Sequence, residues 1–254
     1  MLKKVKPSQI TIIIPTKNRL KQLNALLTSL TLQTYKVGHI FVADGGGNAN
    51  KVVKNFINDL PIVCIDCPLK GQIAQRNHAL LFLKKNQEMV AYLDDDLQLD
   101  YLAFEEILDF YNSFSKKPGG VSFNITNLNL QKNSIFRQFF FMSLNPAGNV
   151  QKSGYNAPIT NVQRNIKVKW LLGGATLWRR DIIEDNKVDK VNLSWAVCED
   201  LMFSYPISKY EQLYVCAKAK TLHVDDKVYL TYSDTLKRSK IGILRRYEFV
   251  CQNI

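Results

Sequence analysis

Val90-Ala-Tyr-Leu-Asp-Asp-Asp96 runs four apolar residues straight into three consecutive carboxylates. A short apolar run with no alternation reads as a strand buried on both faces. Three adjacent like charges at a strand end repel one another unless a cation or solvent relieves them. Carboxylate oxygens are hard ligands that suit Mg²⁺ or Mn²⁺. In an extended segment Asp94 and Asp96 point the same way and can serve one metal. A solvated acidic loop is the competing reading; the position directly after a buried strand favours the metal.

Three further strand signals precede this one. Ile10 to Ile14 is a β-branched run ended by Pro15, Ile40 to Ala43 runs into Asp44 and three glycines, and Ile62 to Ile65 is the third. Apolar residues at helical spacing lie between them: Leu20, Leu23, Leu26, Leu27 and Leu30, then Val52, Val53, Phe56, Ile57 and Leu60. Residues 72–85 read as a third helix, and Phe104, Ile107, Leu108 and Tyr111 mark a fourth. Strand and helix alternating over the first half predict a parallel, doubly wound α/β sheet. Ligands of such sheets bind beyond the carboxyl ends of the strands. Pro15 to Lys17, Asp44 to Gly46 and Asp94 to Asp96 are therefore expected on one rim.

The second half is less regular. Val121, Phe123 and Ile125 alternate with polar residues as in a half-buried strand. Residues 127–168, rich in Asn, Gln and aromatics, read as a long, partly mobile loop region. Residues 170–178 read as a strand interrupted by Gly173-Gly174, and 201–209 as a short helix. After Leu230, lysines and arginines interleave with Ile241, Ile243, Leu244, Tyr247 and Val250, a basic amphipathic helix suited to an anionic membrane surface or to packing on the rest of the chain or on a second subunit.

Several other residues suit chemistry. Asp44-Gly45-Gly46 allows close backbone approach to a ligand and equally fits a simple turn. Its glycines have neither dinucleotide-fingerprint nor P-loop spacing. Lys70-Gly71-Gln72 with Arg76-Asn77 opens a helix and makes an anion site, unless Arg76 is a surface residue. Cys198-Glu199-Asp200 also opens a helix, where the dipole alone favours acidic residues; a carboxylate there that faced the metal would be a general base. His223 is either structural or part of a metal shell. Cys64-x-x-Cys67 has no second pair, which argues against zinc.

Composition narrows the class. The 254 residues are 46% hydrophobic and 22% charged, globular rather than disordered, and fit one large domain or a domain with a small extension. No apolar run is long enough to span a bilayer, and the apolar stretch near the start is too short for a signal peptide, so a cytoplasmic protein is expected. Five cysteines, an odd and sparse set, argue against a disulfide framework. The 34 Lys and Arg against 22 Asp and Glu leave a net charge of +12, which suits nucleic acid, a membrane surface or a phosphorylated substrate. The charges are spread along the chain and no zinc-finger, RNP or helix-turn-helix pattern occurs, so nucleic acid is not an expected partner.

Ile12-Ile-Ile-Pro-Thr-Lys-Asn18, Val42-Ala-Asp-Gly45, Gly71 to Asn77, Tyr92-Leu-Asp-Asp-Asp96, Gly173-Gly174 with Arg179-Arg180, and Glu199-Asp200 occur in an order that resembles the family 2 inverting glycosyltransferases of GT-A fold. The resemblance covers roughly residues 8–225. It implies one GT-A catalytic domain over 1–225, with a nucleotide-sugar-binding half (1–115) and an acceptor-binding half (116–225), followed by the basic tail, 226–254. It implies a nucleotide-sugar donor, usually a UDP-sugar, and Mn²⁺ or Mg²⁺. Pro15, Thr16, Lys17 and Arg19 would line the nucleoside pocket, Asp44 with Gly45 would meet the base, and Arg76 would lie near the nucleotide. Gly173 and Gly174 would also border the donor. Asp94 and Asp96 fall on the DxD motif with Asp95 between them. Asp96 would bind the metal, Asp94 the ribose or metal, and His223 would be a late metal ligand. Asp200 falls on the catalytic base, with Glu199 beside it.

Two departures matter. Ala43-Asp44-Gly45-Gly46 replaces the commoner Asp-Asp-Gly-Ser, and the Gln-x-x-Arg-Trp motif of processive synthases is absent, which favours addition of a single sugar. The acceptor implied is a glycan or lipid-linked hydroxyl, in bacterial surface polysaccharide assembly, on a protein that is cytoplasmic or peripheral on the inner face of the membrane through 231–250. Residues 127–168 would shape the acceptor site, with Phe136, Phe139, Phe140, Phe141 and Tyr155 stacking on sugars or touching lipid, unless they only cover the sheet. A sugar-1-phosphate nucleotidyltransferase is the other enzyme reading, but Pro15-Thr-Lys-Asn-Arg19 lacks its glycine-rich loop. Retention of both acidic motifs speaks against a non-catalytic or nucleic-acid-binding module.

Overall fold

In the computed structural model β1 (Ile10–Thr16) leads through α1 (Leu20–Thr31) to β2 (His39–Asp44), the short α2 (Asn50–Val53), β3 (Ile62–Asp66) and α3 (Gln72–Leu80). β4 (Met89–Leu93), β5 (Leu97–Leu99) and α4 (Ala103–Ser113) complete the first half. The second half holds β6 (Gly120–Ile125), α5 (Ile135–Phe139), β7 (Ile166–Val168), β8 (Ala175–Arg179), α6 (Arg180–Asp185), α7 (Glu199–Ile207), β9 (Leu213–His223) and α8 (Tyr232–Asn253). The structure describes residues 4–68, 71–128, 134–143, 145–186, 197–224 and 231–254. Lys70 and the expected domain boundary at 225/226 lie outside the described residues.

One sheet runs β3-β2-β1-β4-β8-β6-β9-β5, with β7 also on β9. β3, β2, β1 and β4 are parallel, as the βα rhythm predicts. The parallel sheet expected from the sequence stops there. β8 is antiparallel to both β4 and β6, and β9 is parallel to β6 but antiparallel to β5 and β7. The register places Thr16 beside Asp44, so β1 and β2 end level on one rim.

Every residue of β1 is buried because both faces of the sheet are covered. Ile10, Ile12 and Ile14 pack with Leu23, Leu26 and Leu27 of α1 and with Phe104 and Ile107 of α4. Ile13 points the other way, into a second core with Tyr92, Trp178, Leu201 and Phe249.

Four expectations are corrected. The helix expected from Val52 to Leu60 is only α2, after which the chain continues in turns; Phe56 N–H donates to Val53 O at 2.9 Å, and Leu60 is still buried by this route. The third helix ends at Leu80, not Lys85. Residues 170–174 are not strand. Trp170 Nε1 donates to Ala157 O at 3.0 Å and Leu171 N–H to Ser204 Oγ at 2.9 Å, and β8 begins at Ala175. The region 127–168 is not all loop, since α5 and β7 lie in it. The eleven-residue β9 and the short β5 had no counterpart among the sequence expectations.

Candidate functional site

The acidic triad follows β4 as expected, but Asp95 and Asp96 lie in a turn, closed by Leu97 N–H donating to Asp94 O at 3.3 Å. A turn breaks the alternation of an extended chain, so the extended geometry assumed for Asp94 and Asp96 does not hold, and the three carboxylates go to three sets of partners. Asp94 Oδ1 accepts from Arg76 Nη2 at 2.8 Å and from Gln72 Nε2. Asp95 accepts from Thr16 Oγ1 at 2.6 Å and Arg19 Nη1 at 2.9 Å. Asp96 Oδ2 accepts from Arg19 Nη2 at 2.9 Å and stands 3.3 Å from His223 Nε2. Asp95, the residue without a metal role in the sequence reading, is the one that fastens the turn to β1.

The electrostatics differ accordingly. Burial raises the Asp94 carboxyl, against the pull of Arg76. Burial pushes Asp95 up to about 6, opposed by the Thr16 hydroxyl and Arg19. At Asp96 burial also works upward, but the hydrogen bond and charge of His223, with Arg19, outweigh it and hold the carboxyl below its ordinary value. Asp96 Oδ1 is buried and has no hydrogen-bond partner among the described residues. That bare oxygen beside an imidazole fits a hard divalent cation such as Mn²⁺ or Mg²⁺. Asp94 is ion-paired with Arg76, and among the described residues no three His, Cys, Asp or Glu side chains converge on a metal position. The fit therefore rests on Asp96 and His223, with the remaining positions left to phosphate oxygens and water, as hard ions accept.

The other rim segments meet here. Asp44 Oδ1 accepts from Gly46 N–H at 2.8 Å and Gly47 N–H at 3.0 Å, and Oδ2 from Ala49 N–H at 2.6 Å. Both oxygens thus organise the loop after β2, the turn role that the sequence left open. Gln75 Nε2 donates to Thr16 O at 2.8 Å and Ala43 O at 3.2 Å, tying the ends of β1 and β2 together. A Cβ at Gly45 would strike that amide. Pro15 is buried within β1, and Lys17 is exposed just past its end.

Arg76 is not a surface residue. Its side chain is 9% exposed, its guanidinium lies 5.1 Å from the centre of the Tyr92 ring, and Nη1 stands 3.5 Å from Glu199 Oε1. One buried cation therefore links the acidic triad to the start of α7. Gly174 makes room for this, since a Cβ there would overlap the Asp94 carboxylate, whereas a Cβ on Gly173 would make only ordinary contacts with Asp200 and Arg76 at 3.4 and 3.5 Å. Burial pushes Glu199 up to about 7, with Arg76 opposing and Asp200 reinforcing. Burial also raises Asp200, whose Oδ1 accepts from Leu201 N–H at 2.8 Å. Cys198 precedes them at φ 61°, a left-handed residue that sets the entry into α7. A narrow cleft borders Arg76, Glu199 and Asp200, with Tyr92, Trp178 and Phe203 among its walls.

Gln75 went unnamed in the sequence reading, and Gln72 and Tyr92 entered it only as members of longer motifs. The signal was present for the glutamines: Gln72, Gln75 and Arg76 are spaced i, i+3, i+4 and so share one face of α3.

Comparison with known proteins follows the same lines. The family model described as Glycosyl transferase family 2 matches residues 11–186. The mannosyltransferase PcManGT of Pyrobaculum calidifontis, solved with GDP-Man and Mn²⁺, superposes at a TM-score of 0.64 with 13% identity, over 98% of this chain and 66% of that one. S. aureus TarS 1–349, solved with UDP-GlcNAc, superposes at 0.58 with 17% identity, over 95% of this chain and 66% of that one. The same TarS fragment solved with UDP gives 0.59 with 18% identity, over 98% and 66%. The chain spans about two thirds of the length of these structures. No curated protein sequence matches it. The mixed sheet described above is the GT-A fold of these structures.

Proposed function

The chain belongs to glycosyl transferase family 2, and we propose that it moves one sugar from a nucleotide-sugar, a UDP-sugar in the first instance, to a hydroxyl of a glycan or lipid-linked acceptor, with inversion. The observation that carries this reading is the Arg76 guanidinium, buried between Asp94 at 2.8 Å and Glu199 at 3.5 Å, which joins a cation-seeking rim to a helix start bearing buried carboxylates. The likenesses to proteins solved with GDP-Man and UDP-GlcNAc support a nucleotide-sugar donor.

In this reading Thr16, Arg19 and the loop held by Asp44 border the nucleoside. Asp96 and His223 would hold Mn²⁺ or Mg²⁺, which when bound supplies Lewis-acid stabilisation to the departing diphosphate. Arg76 fixes Asp94 against the donor. Asp200 takes the proton of the acceptor hydroxyl as that oxygen attacks the anomeric carbon opposite the leaving group, so one displacement inverts the centre. Burial raises the proton affinity of Asp200, which suits a base. The acceptor enters the cleft lined by Trp178 and Phe203. Residues 1–225 act as one catalytic domain, with the donor held by 1–115 and the acceptor by 116–225. The acceptor setting is surface glycan assembly at the cytoplasmic membrane face, which residues 231–250 contact.

A thermal-shift series with UDP, GDP and UDP-sugars, each with Mn²⁺, Mg²⁺ or EDTA, tests the donor. Stabilisation by UDP that requires metal, lost in Asp96→Ala, is expected. Stabilisation by GDP alone would move the donor class, and no stabilisation by any nucleotide would overturn the reading.

A further inference from the structure

α5 turns Ile135, Phe136 and Phe139 outward, with 85%, 77% and 76% of their surface exposed. On α8, Tyr232, Leu236, Ile243 and Tyr247 are exposed too, spaced i, i+4, i+11 and i+15 and so on one helix face. Lys237 and Lys240 are exposed along the same helix. The two helices are fastened side by side through Tyr155, whose ring centre lies 5.5 Å from the Arg137 guanidinium of α5 and 5.4 Å from that of Arg246 of α8. Arg246 also donates to Gly154 O at 2.7 Å and to Asn156 Oδ1 at 3.1 Å. The far side of α8 is anchored by Phe249, which is fully buried against Tyr205. The apolar stripe is therefore not the side that α8 uses to pack on the domain.

Charge selects what covers this face. α8 carries Lys237, Arg238, Lys240, Arg245 and Arg246 against Asp234 and Glu248, and the whole chain is at +12. A second copy would bring the same positive excess against it, whereas anionic headgroups over acyl chains match both the lysines and the bare phenylalanines.

We propose that α5 and the exposed stripe of α8 form one composite docking face for an anionic lipid bilayer, the phenylalanines of α5 entering the headgroup boundary and α8 lying in its plane. This deepens the membrane contact of 231–250 and rests on the lipid-linked acceptor reading for its purpose, but not for its measurement.

Co-sedimentation of the full chain with vesicles of phosphatidylcholine, with and without phosphatidylglycerol, at low and high salt, tests it. Binding only to the anionic vesicles, weakened by salt, is expected. Phe136→Ser with Phe139→Ser lowers the bound fraction at least about ten-fold, and Lys237→Glu with Lys240→Glu removes the preference for anionic lipid. Neither pair touches the rim, so both keep the nucleotide-dependent thermal shift of the parent. A parent chain that ignores anionic vesicles overturns the face, as does unchanged binding by the phenylalanine pair. A dimer dispersed by those substitutions, without vesicle binding, makes the occupant a second copy and overturns it as well. A chain that shifts with nucleotide but ignores vesicles loses this face alone; one that binds vesicles and never shifts loses the transferase reading alone.

Discussion

Asp200 and Glu199 are adjacent, yet their surroundings differ. Asp200 Oδ1 is held by the Leu201 N–H, while Glu199 faces Arg76 with Oε2 buried and bare among the described residues. Asp200→Asn is expected to lower turnover by about 10²- to 10⁴-fold, the usual worth of a general base, while the metal-dependent thermal shift with UDP is unchanged; a fully active variant would remove the role. Glu199 makes a prediction about pH. Its carboxyl goes from 4.5 in the unfolded chain to about 7 in the fold. Between those values the native state binds more protons than the unfolded one, so stability falls as pH rises through that window. Glu199→Gln should flatten that part of the stability curve, measured by urea unfolding at several pH values. An unchanged slope would assign it to other groups.

Among the longer described helices, α8 has a narrow attachment. Phe249 is its single fully buried side chain, helped by Arg246 on Gly154 and by Lys209 Nζ donating to Asn253 O at 2.9 Å. Removing a buried phenyl ring costs about 3 to 5 kcal/mol, and here that cost falls on a helix outside the sheet. In Phe249→Ala, amide exchange should accelerate along 232–253 while β1, β2 and β4 stay protected. A uniform rise across the sheet would instead make α8 part of the cooperative core. α3 is the opposite case. It is nine residues long, yet Gln72, Gln75 and Arg76 all reach the rim from one of its faces. Its N-terminus follows Gly71 at φ 102°, a conformation that suits glycine.

For the molecule as a whole, binding should be felt at once by segments far apart in sequence. With UDP and Mn²⁺, exchange is expected to slow together in 15–19, 44–49 and 94–96; protection of one segment alone would argue against a shared site. The first four parallel strands were legible in the residue order alone, because β-branched runs at βα spacing can bury both faces only in a covered sheet. That order also named the residues that meet on the rim, since strand ends of such a sheet share an edge. It placed α7 from Leu201 onward and the helix after Leu230. What it could not determine were partners. Whether Arg76 lay on the surface or between Asp94 and Glu199 depended on a pairing 123 residues apart. Whether Asp94 and Asp96 shared a direction depended on a turn that Thr16 and Arg19 hold in place through Asp95. The order of the strands after β4 depended on β8 and β9, whose neighbours come from distant parts of the chain. Local periodicity records which side of an element is apolar, whereas ion pairs, turns and antiparallel insertions are chosen by contacts that exist only once the chain has folded.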